Sequence, residues 1–149
     1  MQRISKTISE FVVPAVAPED SATRAMEVMR SRRSDCALVM ERGQLIGIFT
    51  ERDFLYRVAA KKRDPGTTTI RDVMTASPAT LRPRDNIAYA INQMAVRGFR
   101  NIPIVDDAGR PTSILDIRHV IEHISDVFGE LDEGPSDPVD DEWTDIGGG

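Results

Sequence analysis

Nothing constrains the fold of this chain more than the fact that it is written twice. Set "ISEFVVPAVAPEDSATRAMEVMRSRRSDCALVMERGQLIGIFTERDFLYRV" above "IRDVMTASPATLRPRDNIAYAINQMAVRGFRNIPIVDDAGRPTSILDIRHVIEHI", and residue types recur in the same order. Ile8 meets Ile70, Pro14 meets Pro78, Pro18 meets Pro83, and Asp20 meets Asp85. Ala25, Met29 and Arg32 then meet Ala90, Met94 and Arg97. After a one-residue insertion, Gly43, Ile48 and Arg52 meet Gly109, Ile114 and Arg118. Such a period marks one supersecondary unit used more than once. A unit of roughly 50–60 residues is too small to bury a good core alone. Two of them are therefore expected to pack face to face about a pseudo-two-fold axis.

Each copy reads alike. An apolar lead-in reaches proline and then an aspartate, Asp20 or Asp85, placed as a helix N-cap. Ala22, Ala25, Met26 and Met29 fall at i, i+3, i+4 and i+7, as do Ile87, Ala90, Ile91 and Met94, which predicts a helix. "CALVM" and "NIPIV" predict a strand, "ERG" and "DDAG" a turn, and "LIGIF" and "TSIL" a second strand. A closing helix follows from near Glu51 or Ile117. The expected fold class is α/β (α+β): two β-α-β-β-α repeats, residues 7–60 and 70–126, joined by a polar linker, 61–69. Residues 127–149, rich in acid, proline and glycine, are expected to form an acidic disordered tail.

Charge is unevenly spread. All 19 Lys and Arg lie in residues 1–125 with 15 of the 24 acids, so that part carries +4, while 126–149 holds nine acids and no base. A mildly basic body suits a small anion. No dense basic stripe with interleaved aromatics appears, so nucleic acid is not expected as a partner. No apolar run approaches the roughly 18 residues of a membrane span, and "FVVPAVA" is short and interrupted by Pro14, unlike a signal peptide. Cys36 is the one cysteine, which excludes an intrachain disulfide and fits a soluble, cytoplasmic protein. His119 and His123 lie at i, i+4 without a further His or Cys ligand nearby, so no metal is expected. Neither a Ser-His-Asp nor a phosphate-loop arrangement is visible, and the chain is not expected to be an enzyme.

The doubled order, "RDVMT" with "SPATLRPRDNIAYAINQM", "RGFRNIPIVDDAGR" and above all "GIFTERDFL" resemble a tandem pair of cystathionine-β-synthase (CBS) domains, the arrangement called a Bateman module. The likeness spans about residues 7–126. "GIFTERDFL" fits the family signature of glycine, two apolar residues, Ser/Thr, any two, then Asp, with Gly47, Thr50 and Asp53 in the marked places. From the residues alone, Gly47 admits a ligand or another backbone at close range. Thr50 stands where strand becomes helix and unpaired N–H groups favour phosphate. Asp53, an acceptor-only carboxylate one turn on, suits the neutral 2′- and 3′-hydroxyls of a ribose. The resemblance implies the same roles, with adenine between apolar strand residues. The plainer alternative is that Thr50 and Asp53 only cap the closing helix. Arg52, Arg97 and Arg100 are candidate anion contacts or else solvated charges; Pro103 follows them in "RNIP", near which related modules face ligand or partner. In the second copy Ser113, Asp116 and His119 replace Gly47, Thr50 and Asp53, so the two clefts are expected to be unequal, with His119 a candidate donor.

The predicted ligand-binding set is thus Gly47, Thr50, Arg52, Asp53, Arg97, Arg100, Pro103 and His119. The expected function is a regulatory sensor that binds AMP, ADP, ATP, NAD or S-adenosylmethionine between the repeats, with no catalytic cofactor, and signals by conformation or through an unidentified target protein. The resemblance also implies a homodimer. Phe54, Leu55, Val120, Ile121 and Ile124 on the closing helices are available for that contact or for the chain's own core. The rival reading is a ligand-free dimerisation scaffold.

Overall fold

The computed structural model describes residues 2–6 and 12–129. The long helix of each repeat starts one residue later than expected, for a local reason. Ser21 Oγ accepts the Arg24 N–H at 3.1 Å and Asn86 Oδ1 accepts the Ala88 N–H at 2.9 Å, so these cap α1 (Ala22–Ser31) and α4 (Ile87–Arg97). Asp20 and Asp85 instead close the preceding turn, where they accept the Ala17 and Arg82 N–H groups at 2.8 and 2.7 Å. The predicted stripes face inward: Ala22, Ala25 and Met29 in one core, Ile87, Ala90 and Met94 in the other, with Met26 and Ile91 packed at their edges.

In the first repeat β1 (Ala15–Val16) runs parallel to β2 (Cys36–Glu41), which pairs antiparallel with β3 (Gln44–Thr50). Arg42 and Gly43 join β2 to β3 with φ of 49° and 74°, the two-residue turn whose twist matches that of the strands. After β3, α2 (Glu51–Asp53) widens at once into a π-helical turn, Phe54–Ala59, in which the Ala60 N–H reaches Leu55 O at 2.9 Å. A short α3 (Ile70–Val73) leads to β4 (Thr75–Ala76), which adds to the free edge of β3. The second repeat holds β5 (Asn101–Val105), β6 (Pro111–Asp116) and α5 (Ile117–Gly129). Leu81 bridges Ile104 in parallel, as Val16 bridges Val39. α5 continues past residue 126; the rest of the expected disordered tail, 130–149, lies outside the described residues.

The lead-in turns are exchanged between repeats. Ile70 and Arg71 donate to Asp20 O and Pro18 O, both at 2.9 Å, and Ile70 is fully buried in the first core. A 3-10 turn at Ile4–Lys6 does the same to the second repeat: Ile4 and Ser5 donate to Asp85 O and Pro83 O at 3.0 Å, and Ile4 is fully buried there. Ile4 therefore holds in the second repeat the place that Ile70 holds in the first. Both isoleucines stand before the same proline, and Ile8, with which the sequence pairs Ile70, lies outside the described residues.

A third apolar cluster, Cys36, Leu38, Ile48 and Ile114, forms the seam between the two sheets. Ile48 and Ile114, aligned in the sequence, meet there. On the closing helices Val120 is buried and Phe54 packs on the first core, whereas Leu55, Ile121 and Ile124 are exposed by 55%, 56% and 37%. Among the described residues no helix is long and apolar enough to cross a membrane.

Gly47 sits in β3 opposite Ala76, where an added Cβ would lie 2.5 Å from Met74 Sδ and 3.1 Å from Thr75 O. Gly47→Ala should therefore push β4 away and lower stability by about 1–3 kcal/mol, as overpacked sites do, measured by thermal denaturation. Ile4→Ala, at a position outside both matched copies, should cost about 2–4 kcal/mol in urea unfolding, as for a fully buried isoleucine; a cost near zero would refute the exchange.

Candidate functional site

The end of β3 and the first turn of α2 set Thr50 and Asp53 three residues apart and facing. Thr50 Oγ1 accepts the Asp53 N–H at 3.2 Å while Asp53 Oδ2 accepts the Thr50 N–H at 3.1 Å, a reciprocal capping box. The Thr50 hydroxyl also lies 3.2 Å from Oδ2. From β4 the Thr75 hydroxyl donates to Oδ1 at 3.2 Å. Arg57 Nε stands 3.5 Å from Oδ1, and its Nη1 donates to Met74 O at 2.6 Å. Asp53 is left 8% exposed. A carboxylate offers about four acceptor positions, and these neighbours take most of them. The capping role of Thr50 and Asp53 is realised; a diol would have to share Oδ1 with Thr75 or displace the long Arg57 contact.

Around this corner both repeats line a cleft of about 730 Å³. The first contributes Ile48, Thr50, Arg52, Asp53, Tyr56 and Arg57, the connection Thr75, Ser77 and Pro78, and the second Arg97 to Asn101. Ser77 holds φ at 48°, in the left-handed region, with its N–H on Ile46 O at 3.0 Å; such strain in a non-glycine residue often marks a working surface. Arg52, Arg97 and Arg100 are exposed and form no ion pair among the described residues. Glu51 and Asp35 also border the space. Because α2 is only three residues long before it widens, an anion here would lean on the arginines rather than on a helix end.

Five of the eight predicted residues line this cleft: Thr50, Arg52, Asp53, Arg97 and Arg100. Gly47 lies behind it, where its missing Cβ admits Met74 and Thr75, and so it brings Thr75 to Asp53. Pro103 is buried in β5, with its carbonyl accepting the Leu81 N–H at 3.1 Å. His119 lies in the second repeat, beside Asp116, and lines neither cleft. Thr75, Ser77, Arg57 and Phe99 were not singled out. "VMTASP" carries Thr75 and Ser77, but it reads as the start of the second copy, and only the exchanged lead-in shows that it serves the first.

The matching corner of the second repeat is chemically different. Asp116 takes the place of Thr50 and is 6% exposed. Its Oδ1 accepts Arg118 N–H and Nε at 2.7 and 3.0 Å, and its Oδ2 accepts Nη2 at 2.8 Å. His119 Nδ1 accepts the Asp116 N–H at 3.2 Å, which reproduces the cap that Asp53 gives Thr50. Beside it lies a cleft of about 540 Å³ lined by Arg30, Arg33, Ser34, Asp35, Glu51 and Arg118 among others. Its cation from the second repeat is committed to Asp116. Asp35 stands where the first cleft has Arg100, and its Oδ1 is buried without a hydrogen-bond partner. The two clefts differ in their residues rather than in the balance of charge that lines them: Arg52, Arg57, Arg97 and Arg100 with Asp35, Glu51 and Asp53 on one side, Arg30, Arg33 and Arg118 with Asp35 and Glu51 on the other.

Burial works to raise the Asp116 pKa, but hydrogen bonds and charge from Arg118 outweigh it and hold the carboxyl below its ordinary value. A depressed carboxyl stabilises the fold fully above the unfolded pKa of about 3.9 and loses that contribution as pH falls through the folded value. Asp116→Asn should therefore flatten the acid limb of a stability-against-pH curve below about pH 4, followed by circular dichroism, and leave the slope at neutral pH unchanged. Burial likewise pushes the Cys36 thiol up to about 12, so Cys36 should resist thiol reagents at pH 8 until the chain is unfolded.

A family model described as CBS domain matches the chain twice, over residues 8–60 and 70–126. The chain is 32% identical over 105 residues to CBS domain-containing protein CBSCBSPB1 of Arabidopsis thaliana, covering 70% of this chain and 19% of that one. It is 28% identical over 107 residues to the uncharacterized protein MK0525 of Methanopyrus kandleri, covering 71% and 55%. It thus spans only part of the length of these relatives. The solved structure of CBS domain NE2398 is similar with a TM-score of 0.77 at 25% identity, covering 83% of this chain and 97% of that one. The CBS domain protein PAE2072 of Pyrobaculum aerophilum, complexed with AMP, gives 0.76 at 18% identity, covering 87% and 98%. With both repeats matched over most of its length, the chain belongs to the CBS domain family, as a tandem pair.

Proposed function

We propose that this chain is a regulatory module that binds an adenosine-containing ligand carrying phosphate in the cleft between the repeats on the Asp53 side. The observation that carries the reading is the convergence of Asp53 and Thr50 from one repeat with Arg97 and Arg100 from the other on one space of about 730 Å³, a volume within the usual range for a small-molecule site. The AMP held by PAE2072, a structure of similar fold, supports it. In this reading Asp53 Oδ1 meets the ribose diol beside Thr75, Ile48 and Phe99 offer apolar faces to the base, and Arg52, Arg97 and Arg100 meet the phosphate. Gly47 and Pro103 contribute indirectly, through Thr75 and through the strand that follows Arg100. His119 serves the cap of α5 and no ligand. AMP, ADP and ATP fit the arginine-lined rim better than S-adenosylmethionine, whose sulfonium carries positive charge; NAD, with its diphosphate, lies between.

The output is a change of shape or of partner rather than catalysis, in a cytoplasmic setting. Leu55, Tyr56, Ile121 and Ile124 on the closing helices are exposed and form the face through which two copies would pair. A ligand can bias such an output only by binding two conformations unequally. Arg57 is suited to transmit the bias, since it touches Asp53 and also the carbonyls before β4.

One observation favours the rival scaffold: the capping box uses Thr50 and Asp53 without any ligand. A thermal-shift panel with AMP, ADP, ATP, NAD and S-adenosylmethionine separates the two. At ligand near 100 times its Kd, linkage stabilises by about 2.7 kcal/mol, or about 8–10 °C for a chain this size. Asp53→Ala should lose that shift and also lower the unliganded stability by about 1 kcal/mol through the lost cap, so the ligand-induced difference is the quantity to compare. His119→Ala should keep the shift. No shift from any of the five compounds would leave the scaffold.

A further inference from the structure

We propose that Asp35 and Glu51 make the cleft on the Asp53 side select a nucleoside monophosphate over the corresponding di- and triphosphate. The inference rests on the adenosine reading given above and adds to it the length of the phosphate chain. Both residues line both clefts, so they form the wall on which the two spaces approach each other. The backbone builds that wall. The Glu51 N–H donates to Asp35 O at 3.1 Å, and at the matching place in the second repeat the Ile117 N–H donates to Arg100 O at 2.8 Å. One bond brings two acids together; the other joins an isoleucine to an arginine.

Among the described residues neither acid forms an ion pair, and Asp35 Oδ1 is buried with no hydrogen-bond donor against it. Arg118, which lines the second space with them, spends Nε and Nη2 on Asp116. The acids also stand beside the groups that would read phosphate. Arg52 follows Glu51 directly in the chain, and Arg100 holds in the second repeat the place that Asp35 holds in the first. On the Asp53 side four guanidinium groups face three carboxylates, and Arg57 with Asp53 accounts for one of each. Arg52, Arg97 and Arg100 are then set against Asp35 and Glu51, an excess of one positive charge. A single phosphate, with about two negative charges at neutral pH, already exceeds it. Each further phosphate adds negative charge, finds no further Lys or Arg on the described lining, and faces the two acids. Like charges in a partly buried site repel, and discrimination by a built-in repulsion needs no contact that favours the shorter ligand.

Isothermal titration of the full chain with AMP, ADP and ATP, with a chelator present and at one ionic strength, tests the selection. In the wild type the affinity should fall from AMP through ADP to ATP, by about ten-fold in all. In Asp35→Asn with Glu51→Gln the three affinities should converge to within about three-fold, chiefly because ATP tightens. Glu51 is exposed and its side chain makes no hydrogen bond among the described residues, so Glu51→Gln alone leaves the fold intact. That single variant should recover about two- to three-fold of the ATP affinity. ATP binding as tightly as AMP in the wild type overturns the inference and leaves the adenosine reading standing. A preference for AMP that neither variant reduces does the same. Absence of binding heat from all three compounds overturns the adenosine reading and the inference with it.

Discussion

Each core is completed by a side chain that the sequence places outside it. Ile4 fills the second core and Ile70 the first, both fully buried and both held by paired backbone hydrogen bonds to carbonyls at aligned positions. A unit of this size buries too little apolar surface to stand alone, and the exchange makes each repeat a condition for the other. The sheet seam of Cys36, Leu38, Ile48 and Ile114 then has a fixed geometry, and the clefts at its two ends follow from it. The position of Thr75 is the clearest case. It comes from the chain leading into the second repeat, yet it pairs through β4 with the first and reaches Asp53.

The two corners of the molecule show how one backbone plan can carry different chemistry. In both, a residue at the strand end has its N–H capped from three residues on: Thr50 by Asp53, Asp116 by His119. The cap is thus the shared structural requirement, and the charge around it is what varies. On one side the carboxylate does the capping, and Arg57 stands 3.5 Å from it. On the other the carboxylate has moved to the strand end, and Arg118 closes over it. A carboxylate that caps the strand end and a carboxylate that has taken an arginine for itself are two outcomes of exchanging the residues at two positions.

Much of this was legible before any coordinates. The period-3.6 stripes of Ala22 to Met29 and Ile87 to Met94 are strong because every member is apolar, and the structure buries three of each four and packs Met26 and Ile91 at the edges. The strand pairs and their turns were legible for the same reason. Caps were misread by one residue, since Asp20 with Ser21 and Asp85 with Asn86 are both competent capping residues and only the backbone angle decides. The π-helical turn after Asp53 left no signal, because its residues have ordinary helical preferences. Around Asp53 the sequence motif carries Thr50 and Arg52, whereas Thr75 reaches Asp53 from 22 residues away and Arg57, one turn on from Asp53, is fixed by the carbonyls of Val73 and Met74. Pro103 is buried in β5 and does not line the cleft, which is bordered instead by its neighbours Arg100 and Asn101.

The exchanged lead-ins also bear on how the molecule would come apart. The polar connection from Lys61 to Thr69 is mostly exposed, so it offers a protease a cut between the two repeats. The resulting fragments would not be the two repeats as separate bodies. The upstream piece would keep Ile4, which the downstream core needs, and the downstream piece would keep Ile70, Val73 and β4, which the upstream core needs. A nicked chain would therefore stay together as an interlocked pair, like two hands each holding the other's wrist.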